Sequence, residues 1–188
     1  MNLMTLINRP KPVIIDGGLG SWLVDEYKCS TANKLWSSLI MKEKQETVYK
    51  AHKDFCDAGA QVIITNTYQA SIQGFDGDVK EFEKYIRNSV EIAKKAANDS
   101  KNETGRIVKI AGSCGTIAAD QKGSLFIGMF TEDEKKRKCI NYHKPRFDLL
   151  DNLGVDLIAF ETITSSFEGE ICSEILTQGE TKGWVTFS

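Results

Sequence analysis

The apolar residues of this chain arrive in short bursts separated by longer amphipathic stretches, and that rhythm predicts the elements. Val13-Ile14-Ile15 is a run of β-branched residues, which predicts a strand buried on both faces over 13–16. Residues 17–40 mix Gly, Ser, Trp22 and Trp36 without a clean period and predict a long loop with short helical turns. Val48, Ala51, Phe55 and Ala58 follow a three-and-four spacing over 45–58, a helix that Gly59 can end in the left-handed conformation. A second strand falls at 61–65. A helix comes next over 79–98, with Phe82, Ile86, Val90, Ala93 and Ala97 on one face and Lys and Glu on the other. The third strand is 107–111. Thr131-Glu132-Asp133-Glu134 has the capping-box form and opens a helical segment to Leu153, kinked or interrupted near Pro145. A fourth strand at 155–160, a helix marked by Phe167, Ile171 and Ile175 and ended by Gly179, and a fifth strand at 184–187 complete the pattern.

Strands alternating with helices of ten or more residues predict βαβ units and a parallel sheet. The residues just after each strand narrow the architecture. Asp16-Gly17, Asn66-Thr67, Ser113-Cys114 and Glu161-Thr162 place polar groups at four successive strand ends. In a (β/α)8 barrel such ends converge on one mouth, whereas an open doubly wound sheet gathers its ligands at a switch point. The fold class expected is therefore α/β, a TIM-type (β/α)8 barrel. Five strands do not close that barrel, for which about 250 residues are typical. Residues 1–188 are accordingly expected to supply roughly its first five strands, an incomplete barrel.

Composition is that of a globular protein, 41% hydrophobic and 27% charged, with a net charge of −2. No basic face stands out, which argues against nucleic acid as a partner. No apolar run approaches the roughly 20 residues a membrane span needs, and Met1 to Lys11 lacks a secretory signal core. Five cysteines at wide spacings form neither a disulfide framework nor a metal-ligand cluster. Reduced thiols and a cytoplasmic location are expected.

Asp16 and Glu161 are the leading candidates for chemistry. Two carboxylates at a barrel mouth can grip a cationic group, such as an ammonium, by charge-assisted hydrogen bonds; alternatively each caps a helix or accepts backbone N–H groups. Gly17-Gly18-Leu19-Gly20 is not a dinucleotide fingerprint, because Leu23 stands where the third glycine belongs. It fits close backbone approach to a small ligand, or a tight turn. The run 65–69, with Thr67 and Tyr68, either lines a polar pocket or satisfies its own loop. Cys114 sits at a strand end with no base beside it, and Cys56, Cys139 and Cys172 fall within helices as structural residues. His52 is expected to be packed and hydrogen-bonded. His143-Lys144-Pro145-Arg146 forms a compact basic spot with a surface or helix-end role. Glu132 to Lys138 forms a solvated helical face.

In order along the chain stand VIIDGG, Leu35-Trp36-Ser37, AGAQVIITNTYQAS at 58–71 with Gly74-Phe75 after it, AGSCG, YHKPR at 142–146 and GVDLIAFETI at 154–163. Together they resemble the homocysteine S-methyltransferase family and its homocysteine-binding domain, over essentially the whole chain. The resemblance implies zinc-dependent transfer of a methyl group to the sulfur of homocysteine, giving methionine, from S-methylmethionine or S-adenosylmethionine. Zinc would hold the thiol as thiolate at neutral pH. The resemblance also implies that Asp16 and Glu161 hold the homocysteine amino group, that the Gly17-Gly18 backbone borders its carboxylate, and that Thr67 and Tyr68 lie on the pocket wall. Two departures stand out: Gly115-Thr116-Ile117 where the family has G-P-Y/F, and Ile163-Thr164 where it has I-P. In the family three cysteines hold the zinc, one after the sixth strand and a pair late in the chain, and this sequence ends before all of them. No residue is expected to be a metal ligand or a catalytic group, so the 188-residue chain alone is expected to be inactive. The competing expectation is a non-catalytic truncated product or an amino-acid- or partner-binding module. Open sheet edges would favour self-association.

Overall fold

The computed structural model describes residues 12–29, 44–119 and 130–188. Its described helices are α1 (Leu19–Asp25), α2 (Gln45–Ala58), α3 (Val79–Thr104), α4 (Glu132–Asn152) and α5 (Ser166–Gln178). The strands are β1 (Val62–Ile64), β2 (Lys109–Gly115), β3 (Leu157–Ile163) and β4 (Gly183–Phe187). They pair in parallel in the order β1-β2-β3-β4, without reversal.

Alternation along the strands sorts the side chains into two layers. Ile63, Ile110, Ile158 and Phe160 face the helices and join the main core, with Val48 and Ala51 of α2, Phe82, Ile86 and Val90 of α3, Phe147 and Leu150 of α4, and Ile171 and Ile175 of α5. Val62, Ala111, Leu157 and Ala159 point to the opposite face, where Val13, Ile64 and Trp184 pack against them. The helices thus cover one face of the sheet. Gly112 permits the close approach of α4 to β2, because a Cβ there would meet Leu150 Cδ1 at 2.9 Å.

The helix starts obey their capping chemistry. Thr131 and Glu134 form the full reciprocal capping box, and Asp78 and Ser165 accept from the N–H groups of Glu81 and Glu168. Gly59 ends α2 with φ 106°, as its spacing predicts.

Four strands stand among the described residues where the sequence predicts five. The predicted first strand is reduced to one parallel bridge, Ile15 to Val62. Its partner β1 is only three residues long, so the ladder is short: Ile14 O accepts from the Gln61 N–H (2.7 Å) and the Val62 N–H (3.3 Å), and Asp16 N–H donates to Val62 O (2.9 Å). The stretch is also not buried on both faces: Ile14 and Ile15 remain 57% and 50% exposed. Residues 19–25, predicted as loop with short turns, form the two-turn helix α1, and the helix predicted over 79–98 continues to Thr104. Helix α4 runs unbroken through Pro145 rather than being interrupted there. Leu35-Trp36-Ser37 and most of the glycine-containing loop before Phe130 lie outside the described residues.

Candidate functional site

The C-terminal ends of the strands border a cleft of about 630 Å³. Gly17, Gly18, Tyr68 and Glu161 line it, together with Gln69 and Thr162. Asp16 is not among the lining residues and is 8% exposed. Its Oδ2 accepts the Ile64 N–H at 2.8 Å, while Oδ1 is buried with no hydrogen-bond partner. Burial raises the Asp16 carboxyl from 3.8 to about 7, and the neighbouring Glu161 adds to the rise. Glu161 is itself raised by burial, opposed by the Ser113 hydroxyl that donates to its Oε1 and by the positive charge of Arg146. The charge of Glu161 thus adds to the burial that raises Asp16, and a cation near both acids would favour their ionised forms.

Glu161 follows the alternation of Leu157 and Ala159 onto the cleft side, and β3 becomes irregular beside it. The pairing of β3 with β4 shifts register between Phe160 and Ile163, and Thr162 takes φ 59°. Phe160 and Ile163 are three apart yet both sit in the helix-side core, which strict alternation forbids. The extra residue of the bulge lets Glu161 and Thr162 both line the cleft before the strand returns to its pleat. A left-handed β-branched residue is strained, and such strain gathers at functional sites.

Thr67 is placed differently from a wall residue. It is fully buried, and its hydroxyl joins Thr65 Oγ1 (2.7 Å) and donates to Ser113 O (2.8 Å), binding the β1 end to the β2 end. Tyr68 packs against Gly115, where a Cβ would fall 2.5 Å from the ring. The Gly115 N–H donates to Tyr68 O at 3.1 Å.

The basic spot at 143–146 is only partly on the surface, where Lys144 pairs with Asp148 at 2.8 Å. His143 and Arg146 are both completely buried, because they fall on the inward stripe of α4 that also carries Cys139, Tyr142, Phe147 and Leu150. Arg146 donates to Tyr68 O at 2.6 Å, Thr67 O at 3.3 Å and Gly115 O at 2.8 Å. His143 Nε2 meets Glu168 Oε1 at 2.8 Å. Glu168 also accepts from the Ile117 N–H (2.7 Å) and the Thr116 hydroxyl (2.8 Å), which fastens the turn after β2 to α5. Burial lowers the His143 pKa, so the ring is neutral and donates through Nε2. Burial pushes Glu168 up, but its hydrogen bonds more than offset this and hold it below the usual carboxylate range. His52 is packed as expected, but neither ring nitrogen has a hydrogen-bond partner, and burial lowers its pKa to about 4.

Cys139, His143 and Glu168 bring their ligand atoms within 4.8 Å of one another, a grouping hidden in the sequence because it joins two helices. It does not fit a catalytic metal. None of the three lines the cleft, the carboxylate is committed to three donors, and burial pushes the Cys139 thiol up to about 12. Cys114 is likewise buried, its thiol pushed up to about 11. No described residue lining the cleft is a Cys or His.

Unreversed parallel strands, with helices on one face and two acids at their C-terminal ends, define an α/β protein with an acidic cleft. The chain belongs to the homocysteine S-methyltransferase family, whose model matches residues 13–188. It is 31% identical to homocysteine S-methyltransferase 2 of Arabidopsis thaliana, covering 93% of this chain and 58% of that protein. It is 32% identical to a selenocysteine Se-methyltransferase of Brassica oleracea var. italica, covering 93% and 55%. The structure superposes on the metallated form of the homocysteine methyltransferase MmuM from Escherichia coli with a TM-score of 0.83 at 28% identity, covering 99% of this chain and 66% of that one. The chain thus spans little more than half the length of these sequence relatives. No helix among the described residues is long and apolar enough to cross a membrane.

Proposed function

We propose that residues 1–188 supply the amino-acid-binding side of a homocysteine S-methyltransferase built as a (β/α)8 barrel. Strands that succeed one another in sequence order, with helices on one face, support the barrel over a doubly wound sheet, which carries helices on both faces and reverses its order. The observation that carries the functional reading is the Asp16–Glu161 pair, raised by burial and leaving Asp16 Oδ1 without a partner. The homocysteine ammonium sits between these carboxyls, and its carboxylate lies along the backbone of Gly17 and Gly18. Tyr68 forms the wall, and Thr67 holds that wall from beneath.

The reaction proposed for the whole protein forms a bond from the homocysteine sulfur to a methyl carbon and breaks the bond from that carbon to a donor sulfonium. The bonding pair stays on the donor sulfur, and the thiol proton goes to solvent. S-methylmethionine and S-adenosylmethionine are the donors of matching chemistry. Zinc, where bound, would hold the thiol as thiolate; no step is assigned to it among these residues. The setting proposed is the cytosol, in keeping with five free cysteines.

Calorimetric titration of the chain with L-homocysteine and with its des-amino analogue 4-mercaptobutanoate tests the assignment. Homocysteine should bind and the analogue should lose at least about tenfold, the cost of leaving a buried acid pair unmet. Equal binding would remove the acid pair from the amino-group role. The second reading, a binding module without turnover, draws on the absence of Cys and His among the described cleft residues. Methionine formation from S-methylmethionine separates the two.

A further inference from the structure

We infer that Arg146 is a positioning residue for the cleft: from the interior of α4 its guanidinium fixes the 67–68 wall against the end of β2 and presents its positive charge to Glu161. The inference rests on the functional reading of the cleft only for its ligand. Arg146 is the largest fully buried side chain among the described residues. A buried guanidinium ordinarily meets a carboxylate; this one instead donates to three backbone carbonyls, those of Thr67, Tyr68 and Gly115. Those carbonyls belong to the two chain segments that leave β1 and β2 at the cleft. The planar fork suits this task, because it reaches divergent acceptors at once where an ammonium is a single point. Tyr68 O accepts from both Arg146 Nη1 and the Gly115 N–H, so the wall is pinned from two directions.

The charge has a second consequence. Arg146 does not line the cleft, yet its positive charge acts on Glu161 and lowers its pKa against the rise caused by burial. Ser113 and Arg146 act on Glu161, which in turn acts on Asp16 and Cys114; the groups around Arg146 are Cys114, Tyr142, His143 and Glu161. His143 is neutral and Cys114 is protonated, which leaves Arg146 as the cation in this group. Glu161 is therefore biased from behind the cleft lining, through a residue that need not touch the ligand.

Two variants separate fork from charge. Arg146→Lys keeps the charge and loses the fork; Arg146→Met keeps much of the volume and loses both. In the ligand-free chain, carbon-13 NMR titration of the Asp16 and Glu161 carboxyls should show the Glu161 midpoint rising in Arg146→Met and holding in Arg146→Lys. Homocysteine affinity at pH 8 should fall about tenfold in Arg146→Lys, within the range that members of one network exchange, and further in Arg146→Met. An unmoved Glu161 midpoint in Arg146→Met, or wild-type affinity in Arg146→Lys, would overturn the inference. Should Arg146→Met fail to melt cooperatively, Arg146→Lys decides through the same two readouts. If the wild-type chain binds no homocysteine, the functional reading falls while the ligand-free midpoints still decide the role of Arg146.

Discussion

Replacing Asp16 with Asn should stabilise the chain and abolish its cleft function together. The Asp16 carboxyl titrates near 7 in the folded chain against an ordinary 3.8. At 1.36 kcal/mol per unit of pKa, that gap is on the order of 4 kcal/mol. Its sign comes from proton linkage. Between pH 3.8 and 7 the folded chain keeps a proton that the unfolded chain has released, so this group's contribution falls as pH rises through that window. Above 7 the full penalty of burying a carboxylate beside Glu161 is present. Asn keeps an acceptor for the Ile64 N–H and never ionises.

Urea unfolding of wild type and Asp16→Asn, in half-unit steps from pH 4 to 8, isolates the effect. His52 and the other titrating groups apart from Glu161 contribute to both proteins and largely cancel in the difference, whereas the effect of Glu161 on Asp16 is part of what is measured. The stability difference should be near zero at pH 4 and grow to about 4 kcal/mol in favour of Asp16→Asn by pH 8. The same variant should lose homocysteine binding, since one of the two charges proposed to meet the ammonium is gone. A difference that stays flat with pH, or a less stable Asp16→Asn at pH 8, would refute the raised carboxyl and the argument built on it.

Thr162→Gly should raise stability by about 1 kcal/mol, because glycine accepts the left-handed conformation freely, and should weaken ligand binding as the bulge loosens; chemical denaturation and calorimetry read the two effects. Glu168→Ala leaves His143, the Ile117 N–H and the Thr116 hydroxyl without their acceptor and should cost about 3 kcal/mol or more in urea unfolding. Glu168→Gln, which retains an acceptor, should cost about half of that or less. With Ile14, Ile15 and Phe187 exposed at the two ends of the sheet, sedimentation velocity should show concentration-dependent self-association, and a sharp monomer at all concentrations would count against exposed edges as a driving force.

Periodicity makes most of the architecture legible. The helix stripes of α2 and α3, the capping box of α4 and the apolar runs of β1 to β4 are local signals with local causes. The first strand departs from its pattern because three β-branched residues indicate extended backbone but say nothing about what covers it. Val13-Ile14-Ile15 is extended, yet it meets a three-residue partner, and Ile14 and Ile15 stay half exposed. Asp16 and Glu161 are legible as acids at strand ends. The bulge that adds Thr162 to the cleft lining is not, since it appears only as a register shift against β4. His143 and Arg146 are where composition misleads. A basic tetrapeptide suggests surface, but the buried set 139, 142, 143, 146, 147 and 150 repeats every three to four residues. That stripe is readable in the sequence and outranks the charge of its members.

The places where local rules fail are informative because most of them converge. A carboxylate is buried with one oxygen unpartnered, a β-branched residue takes a left-handed backbone, and a guanidinium is buried against carbonyls. Asp16, Thr162 and Arg146 are far apart in sequence or in role, yet each acts on the cleft or on the segments that build it. Elsewhere propensity, capping and burial mostly agree, as a folding sequence requires. His52 tests whether this convergence means anything. It too breaks a rule, with both ring nitrogens buried and unpartnered, but it sits in the core stripe of α2 and does not line the cleft. A broken rule is therefore not enough to mark a functional residue. Asp16, Thr162 and Arg146 differ from His52 because the exception in each case points a charge or a backbone turn at one shared space, and that shared direction is the stronger evidence.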